Sequence, residues 1–84
     1  MSSELSISIG HRIRALREQR QLDQMTLAMR LGVFQSVLCN LELGQHCPRS
    51  EMLIKLAHEL DCSTDYLLMG DQQKTKQIQH RRLP

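Results

Sequence analysis

The sequence predicts an all-α fold of about five short helices in a single domain, and three observations carry that prediction. Apolar residues recur at three- and four-residue intervals instead of alternating, as they do on one face of a helix. Ser8, Asp23 and Ser63 stand just ahead of such runs, where a side-chain oxygen can accept from free helix N–H groups. Gly32, Gly44 and Gly70 stand where the runs stop, at positions suited to a left-handed turn.

Taken in order, Ile9, Ile13 and Leu16 recur at four and three residues with arginines between them, so residues 8 to 19 read as an amphipathic first helix capped by Ser8 and preceded by an arm over residues 1–7. Asp23 caps a second helix that runs to Leu31. Gly32 opens a tight turn, and a third helix follows from Gln35 to Leu43. The second and third helices are expected to cross steeply and touch near Ala28, which must therefore be small. Val33, Leu38 and Leu41 form the inner face of the third helix, while Gln35, Ser36, Cys39 and Asn40 lie on the other side. Two of these are primary amides, able to present a donor and an acceptor together to a base edge. Residues 45–49, with Pro48, read as a loop. A fourth helix starts at Arg49 or Ser50 and carries Leu53, Leu56, Ala57 and Leu60 at i, i+3, i+4 and i+7. Ser63 caps a short fifth helix through Tyr66 and Leu67. Residues 71–84, DQQKTKQIQHRRLP, are polar and aperiodic, which predicts a disordered tail.

Eighty-four residues leave room for one small core. No apolar run approaches the roughly 20 residues of a membrane span, and MSSELSISIG has no signal-peptide pattern, so a cytoplasmic protein is expected. Cys39, Cys47 and Cys62 are odd in number and contain no CxxC pair, which predicts reduced thiols with neither a disulfide framework nor a zinc site. His46 beside Cys47 does not make a metal site, and no cofactor is expected. The net charge is only +2, but it is unevenly spread. Arg12, Arg14, Arg17, Arg20 and Arg30 stand against Glu18 and Asp23, whereas Lys55 stands alone against Glu51, Glu59, Asp61, Asp65 and Asp71. Lys74, Lys76, Arg81 and Arg82 make the tail basic again. Such a chain would meet a polyanion in one orientation.

The segments IRALREQRQLDQ, LAMRLGV, QSVLCNLELG, LIKLAHEL and STDYLLMG, in this order and spacing from Gly10 to Gly70, resemble the lambda-repressor-like helix-turn-helix DNA-binding domains of the Cro and XRE type. The resemblance implies a compact five-helix domain with the helix-turn-helix formed by helices 2 and 3, and a transcriptional regulator, a repressor, that binds a two-fold operator in double-stranded DNA as a homodimer. It places the third helix in the major groove, with Gln35, Ser36, Cys39 and Asn40 as the base-reading set. It places Gln24 on a phosphate at the start of the second helix. Because the recognition helix carries no cation, the other phosphate contacts are assigned to Arg14, Arg17, Arg49 and Gln45, with the basic tail as a further candidate. Arg17 and Glu42 match the family's ion pair between the first and third helices. The fifth helix, with Tyr66, Leu67 and Leu68, and the tail are the two candidates for the dimer surface.

Some residues depart from that pattern. Phe34 stands where a serine or threonine usually caps the recognition helix, Val37 and Leu43 are apolar where polar residues are common, and no Lys or Arg falls between Val33 and Gln45. Phe34, Val37 and Leu43 therefore suggest an alternative, a protein-interaction module on the same fold, such as an antitoxin or a regulator's partner. A thiol at Cys39 would respond to oxidation only beside a positive charge that the local sequence lacks. No nucleophile, base and orienting group converge in any segment, so an enzyme is not expected.

Overall fold

The computed structural model describes residues 3–70, within which the chain forms α1 (Glu4–Gln19), α2 (Gln24–Leu31), α3 (Gln35–Glu42), α4 (Ser50–Leu60) and α5 (Thr64–Met69). The tail from Asp71 onward, for which disorder was expected, lies outside the described residues. No described helix is long and apolar enough to cross a membrane.

The first helix begins earlier than its apolar spacing predicts. Ser3, not Ser8, is the cap, accepting from the Ser6 N–H at 3.0 Å, so Glu4 to Ile7 form the first turn instead of an arm. The reason lies in two residues that do not look like core. Ser6 is buried with its hydroxyl 3.0 Å from that of Ser3, and Gly10 sits where α1 meets α3. A Cβ on Gly10 would lie 2.5 Å from the Leu41 carbonyl oxygen and 2.6 Å from that of Glu42. Only glycine lets the two backbones approach this closely, so it is kept despite its helix-propensity cost of about 1 kcal/mol.

Asp23 accepts from the Thr26 N–H at 2.7 Å and Ser63 from the Tyr66 N–H at 3.0 Å, so α2 and α5 begin at side-chain caps. Phe34 and Arg49, ahead of α3 and α4, make no side-chain cap bond. The first four helices end alike. Gln21, Gly32, Gly44 and Asp61 all have positive φ, and the next residue's N–H reaches back to a carbonyl five residues earlier: Leu22 to Arg17, Val33 to Ala28, Gln45 to Asn40, Cys62 to Ala57. These are Schellman turns, in which the residue after the left-handed position folds onto the helix it leaves. Leu22, Val33 and Cys62 accordingly pack against the core.

That core consists of Ile9 and Ile13 from α1, Leu27, Ala28 and Leu31 from α2, Leu38 and Leu41 from α3, Leu56, Ala57 and Leu60 from α4, and Leu67 from α5. Leu67, expected on a dimer surface, is fully buried and unavailable for one. Arginines fasten the shell from outside. Arg12 donates to the Leu67 and Leu68 carbonyls at 2.9 and 2.8 Å, and Arg20 to the Leu60 carbonyl at 2.7 Å, satisfying carbonyls that helix ends leave free. Part of the positive charge expected to face a polyanion is thus engaged in holding α4 and α5 to α1.

Candidate nucleic-acid interface

The site is built on α3, whose inner side is anchored by Leu38, Leu41 and Glu42 and whose outer side is free. Gln35 and Ser36 are exposed, Cys39 and Asn40 half-buried. Beside them stand Phe34, Val37 and Leu43, respectively 81%, 39% and 58% exposed. The amide face and the apolar departures therefore share one surface.

Glu42 fixes how this helix sits. Its carboxylate accepts from Arg17 Nε at 2.6 Å and Nη2 at 3.1 Å, while Arg17 Nη1 donates to the Leu22 carbonyl at 2.8 Å. Hydrogen bonding to Glu42 raises the guanidinium pKa above its ordinary value, against the opposing effect of burial. A forked, charge-assisted pair of this kind defines position as well as attraction. It also corrects one expectation: with a side chain 11% exposed and all three nitrogens engaged, Arg17 is not a surface cation for phosphate.

Gln24 joins the same carboxylate. Its Nε2 donates to Glu42 Oε1 at 2.9 Å, and its Oε1 accepts from Gln35 Nε2 at 3.4 Å. The amide at the start of α2 thus links the buried ion pair to the outermost amide of α3, which is more than the sequence suggested for it. Residues separated by eleven or eighteen positions give no periodic signal, so the link is invisible without the packing of α2 on α3.

The remaining candidates are dispersed. Arg49 and Val37 line one groove of about 280 Å³ together with Leu41, Cys47 and Pro48, which brings the cation after α3 alongside that helix. Arg14 pairs with Glu18 at 3.1 Å on the solvent side of α1. Gln45 is exposed, its N–H closing the α3 turn onto Asn40. Of the cysteines, Cys62 has its thiol pKa pushed up by burial, which suits an inert packing residue. Among the described residues no three His, Cys, Asp or Glu side chains gather into a metal-binding group.

Residues 10–73 match the family model described as a helix-turn-helix domain, which is most of the chain. The chain belongs to that family. This helix-turn-helix domain is 36% identical over 74 residues to Repressor protein C2 of Salmonella phage P22, an alignment that covers 88% of the chain but 34% of that repressor, so the chain spans about a third of its relative's length. Among solved structures it resembles the P22 c2 repressor protein crystallised with a synthetic operator, at 38% identity and a TM-score of 0.72, covering 75% of this chain and 96% of that one. It likewise resembles the restriction-modification controller protein C.AhdI from Aeromonas hydrophila, at 34% identity and a TM-score of 0.69, covering 74% and 94%.

Proposed function

We propose that the helix-turn-helix domain is a sequence-specific DNA-binding transcriptional repressor, acting in the cytoplasm as a homodimer, with α3 entering the major groove of a two-fold operator. The observation that carries this reading is the Gln35 amide, exposed at the first turn of α3 and tied through Gln24 to the buried Arg17–Glu42 pair. An amide held this way can pair with both edge atoms of an adenine at less entropic cost than a free side chain. Ser36, Cys39 and Asn40 continue the reading face. Gln24, Arg14, Arg49 and Gln45 supply the contacts to phosphate. The operator complex of the P22 c2 repressor supports the same use of the fold. One short helix reads few base pairs, and a dimer doubles that number across two half-sites about one DNA turn apart.

Selection from a random DNA library tests the reading. The wild-type chain is expected to enrich a palindromic motif, and Gln35→Ala to lose about 1 to 3 kcal/mol at one base position with relaxed preference there. Failure to enrich any motif, or an unchanged motif with unchanged affinity for Gln35→Ala, removes the assignment. The exposed Phe34, Val37 and Leu43 favour a second reading, a surface for a protein partner on the same helix. A mobility shift across a salt series separates the two. DNA binding should weaken with salt, and only modestly, because α3 has no cation of its own and few counterions are released.

A further inference from the structure

Three strongly exposed apolar side chains lie away from the surface formed by α3 and its flanking Phe34 and Leu43. Met29 is 74% exposed, Ile54 64% and Met25 58%. Met25 and Met29 are one turn apart on α2, so they share a side of that helix. Met29 and Ile54 line a groove of about 470 Å³ between the end of α2 and the middle of α4, floored by Leu31 and Gly32 and flanked by Arg30, Lys55 and Glu59. At Gly32 even an added Cβ would meet nothing within 4 Å, so the groove is open at that end. None of its lining residues belongs to α3.

We infer that this groove between α2 and α4 docks an acidic amphipathic helix of a protein partner. Three observations favour such an occupant. The groove lies between two helices and is lined by Met29, Leu31 and Ile54, apolar surface against which a helix can lay its anchor residues. One of the two exposed apolar side chains that line it, Met29, is a methionine, whose unbranched, polarisable chain adapts to varied surfaces. The charge at its edge is net positive: Arg30 and Lys55 stand against Glu59, and among the described residues neither cation has a carboxylate within 4 Å, the two ion pairs being Arg14 with Glu18 and Arg17 with Glu42. Carboxylates flanking the partner's apolar stripe would meet those cations and set its orientation. Nucleic acid fits the groove poorly, because phosphates would have to be set against Met29 and Ile54. The partner and DNA would use separate faces, so both could be bound at once.

The test displays a library of amphipathic helices about four turns long, with apolar anchors fixed at i, i+3, i+4 and i+7 and flanking positions randomised among Glu, Lys, Gln and Ser, against the full chain. The expected pool is enriched in Glu over Lys. Its members should lose at least about tenfold in affinity for the Met29→Lys, Ile54→Lys double variant, a loss of about 1.4 kcal/mol. Both substitutions lie at exposed positions, and unchanged thermal unfolding and unchanged DNA mobility shift of the double variant establish that the fold and the α3 face are intact. Enrichment of Lys, absence of any enriched pool, or a pool whose binding survives the double substitution overturns the proposal. So does sedimentation showing that Ile54→Lys breaks a wild-type dimer, which would make a second copy of the chain the occupant.

Discussion

Arg17 of α1 and Glu42 of α3 meet through two hydrogen bonds of 2.6 and 3.1 Å, with 11% and 3% of their side chains exposed. At that depth the pair behaves differently from a surface ion pair. Removing one partner strands the other charge away from water, so Glu42→Ala should cost about 3 kcal/mol, the lower end for buried pairs because Arg17 keeps some contact with solvent. The double variant Arg17→Met, Glu42→Met should recover much of that stability while losing the guided position of α3, and with it DNA affinity. Urea unfolding gives the first quantity and a mobility shift the second. A loss below about 1 kcal/mol for Glu42→Ala would reduce the pair to a surface contact.

Gln24 donates to the same carboxylate at 2.9 Å, so its substitutions should rank in an unusual order. Gln24→Ala removes one donor from a carboxylate that keeps its arginine. Gln24→Glu instead sets a second carboxylate against Glu42, which is worse for stability than the shorter side chain even though glutamate is nearly isosteric with glutamine. The introduced carboxyl would titrate above its ordinary value near 4.3, so the penalty should relax as pH falls through that raised pKa. Thermal unfolding at pH 7 and at pH 4 measures both effects. Equal stability of the two variants at pH 7 contradicts the hydrogen bond.

The core and the ends of the helices were legible in the sequence, because periodicity and left-handed turn residues are local properties. Leu38, Leu41, Leu56 and Leu60 are buried where spacing puts them, and Gly32 and Gly44 end helices as their type suggests. Residues with two uses were harder to read. Gly10 looks like a weak point in a helix until α3 lies across it, and Gln21 and Asp61 take left-handed conformations that a sequence reader assigns to glycine first. The arginines misled in part: Arg12 and Arg20 read as a basic surface, yet their partners are carbonyls 40 to 56 residues away, which no pattern of neighbours discloses, whereas the pairing of Arg17 with Glu42 was expected from the family resemblance.

Two glycine substitutions should separate crowding from backbone strain. Gly10→Ala gains up to about 1 kcal/mol of helix propensity, but its methyl group would sit 2.5 Å from a backbone oxygen that cannot swing aside. The prediction is a net loss, with the α1–α3 contact loosened and DNA binding weakened. Gly32→Ala meets no atom within 4 Å, yet φ of +77° costs an L-residue about 1 to 2 kcal/mol. Chemical denaturation should show both variants less stable than wild type and only Gly10→Ala disturbing the amides of Leu41 and Glu42 in nuclear magnetic resonance spectra. A stabilised Gly10→Ala would contradict the close approach.

Asp23 gives the start of α2 a pH dependence. Hydrogen bonds from Thr26, side chain first and then backbone, hold the carboxyl below its usual value. A lowered folded-state pKa means that the cap's ionic contribution is complete above the unfolded value near 3.9 and is lost as pH falls through the folded one. Asp23→Asn keeps an acceptor for the Thr26 N–H but cannot titrate, so its melting temperature should fall less steeply than that of wild type between pH 5 and pH 2. Parallel curves for the two proteins would show that the folded and unfolded pKa values of Asp23 do not differ.

Phe34 separates stability from recognition most directly. It occupies the N-cap of α3 in an extended conformation, φ −71° and ψ 152°, that suits a capping side chain, yet it offers no acceptor and leaves the ring 81% exposed. Phe34→Ser should therefore stabilise the fold by about 1 kcal/mol, a rise of about 4 to 8 °C in Tm for a domain of this size. Under the DNA-reading proposal the ring lies against a thymine methyl, so the same variant should lose preference for thymine at one operator position while gaining stability. Calorimetry and selection from a random DNA library measure the two responses on one protein. A lower Tm would mean that the ring packs within the domain. A raised Tm with an unchanged DNA motif would take the ring out of base reading, and loss of partner association in Phe34→Ser would then be the measurement that assigns it to a protein surface.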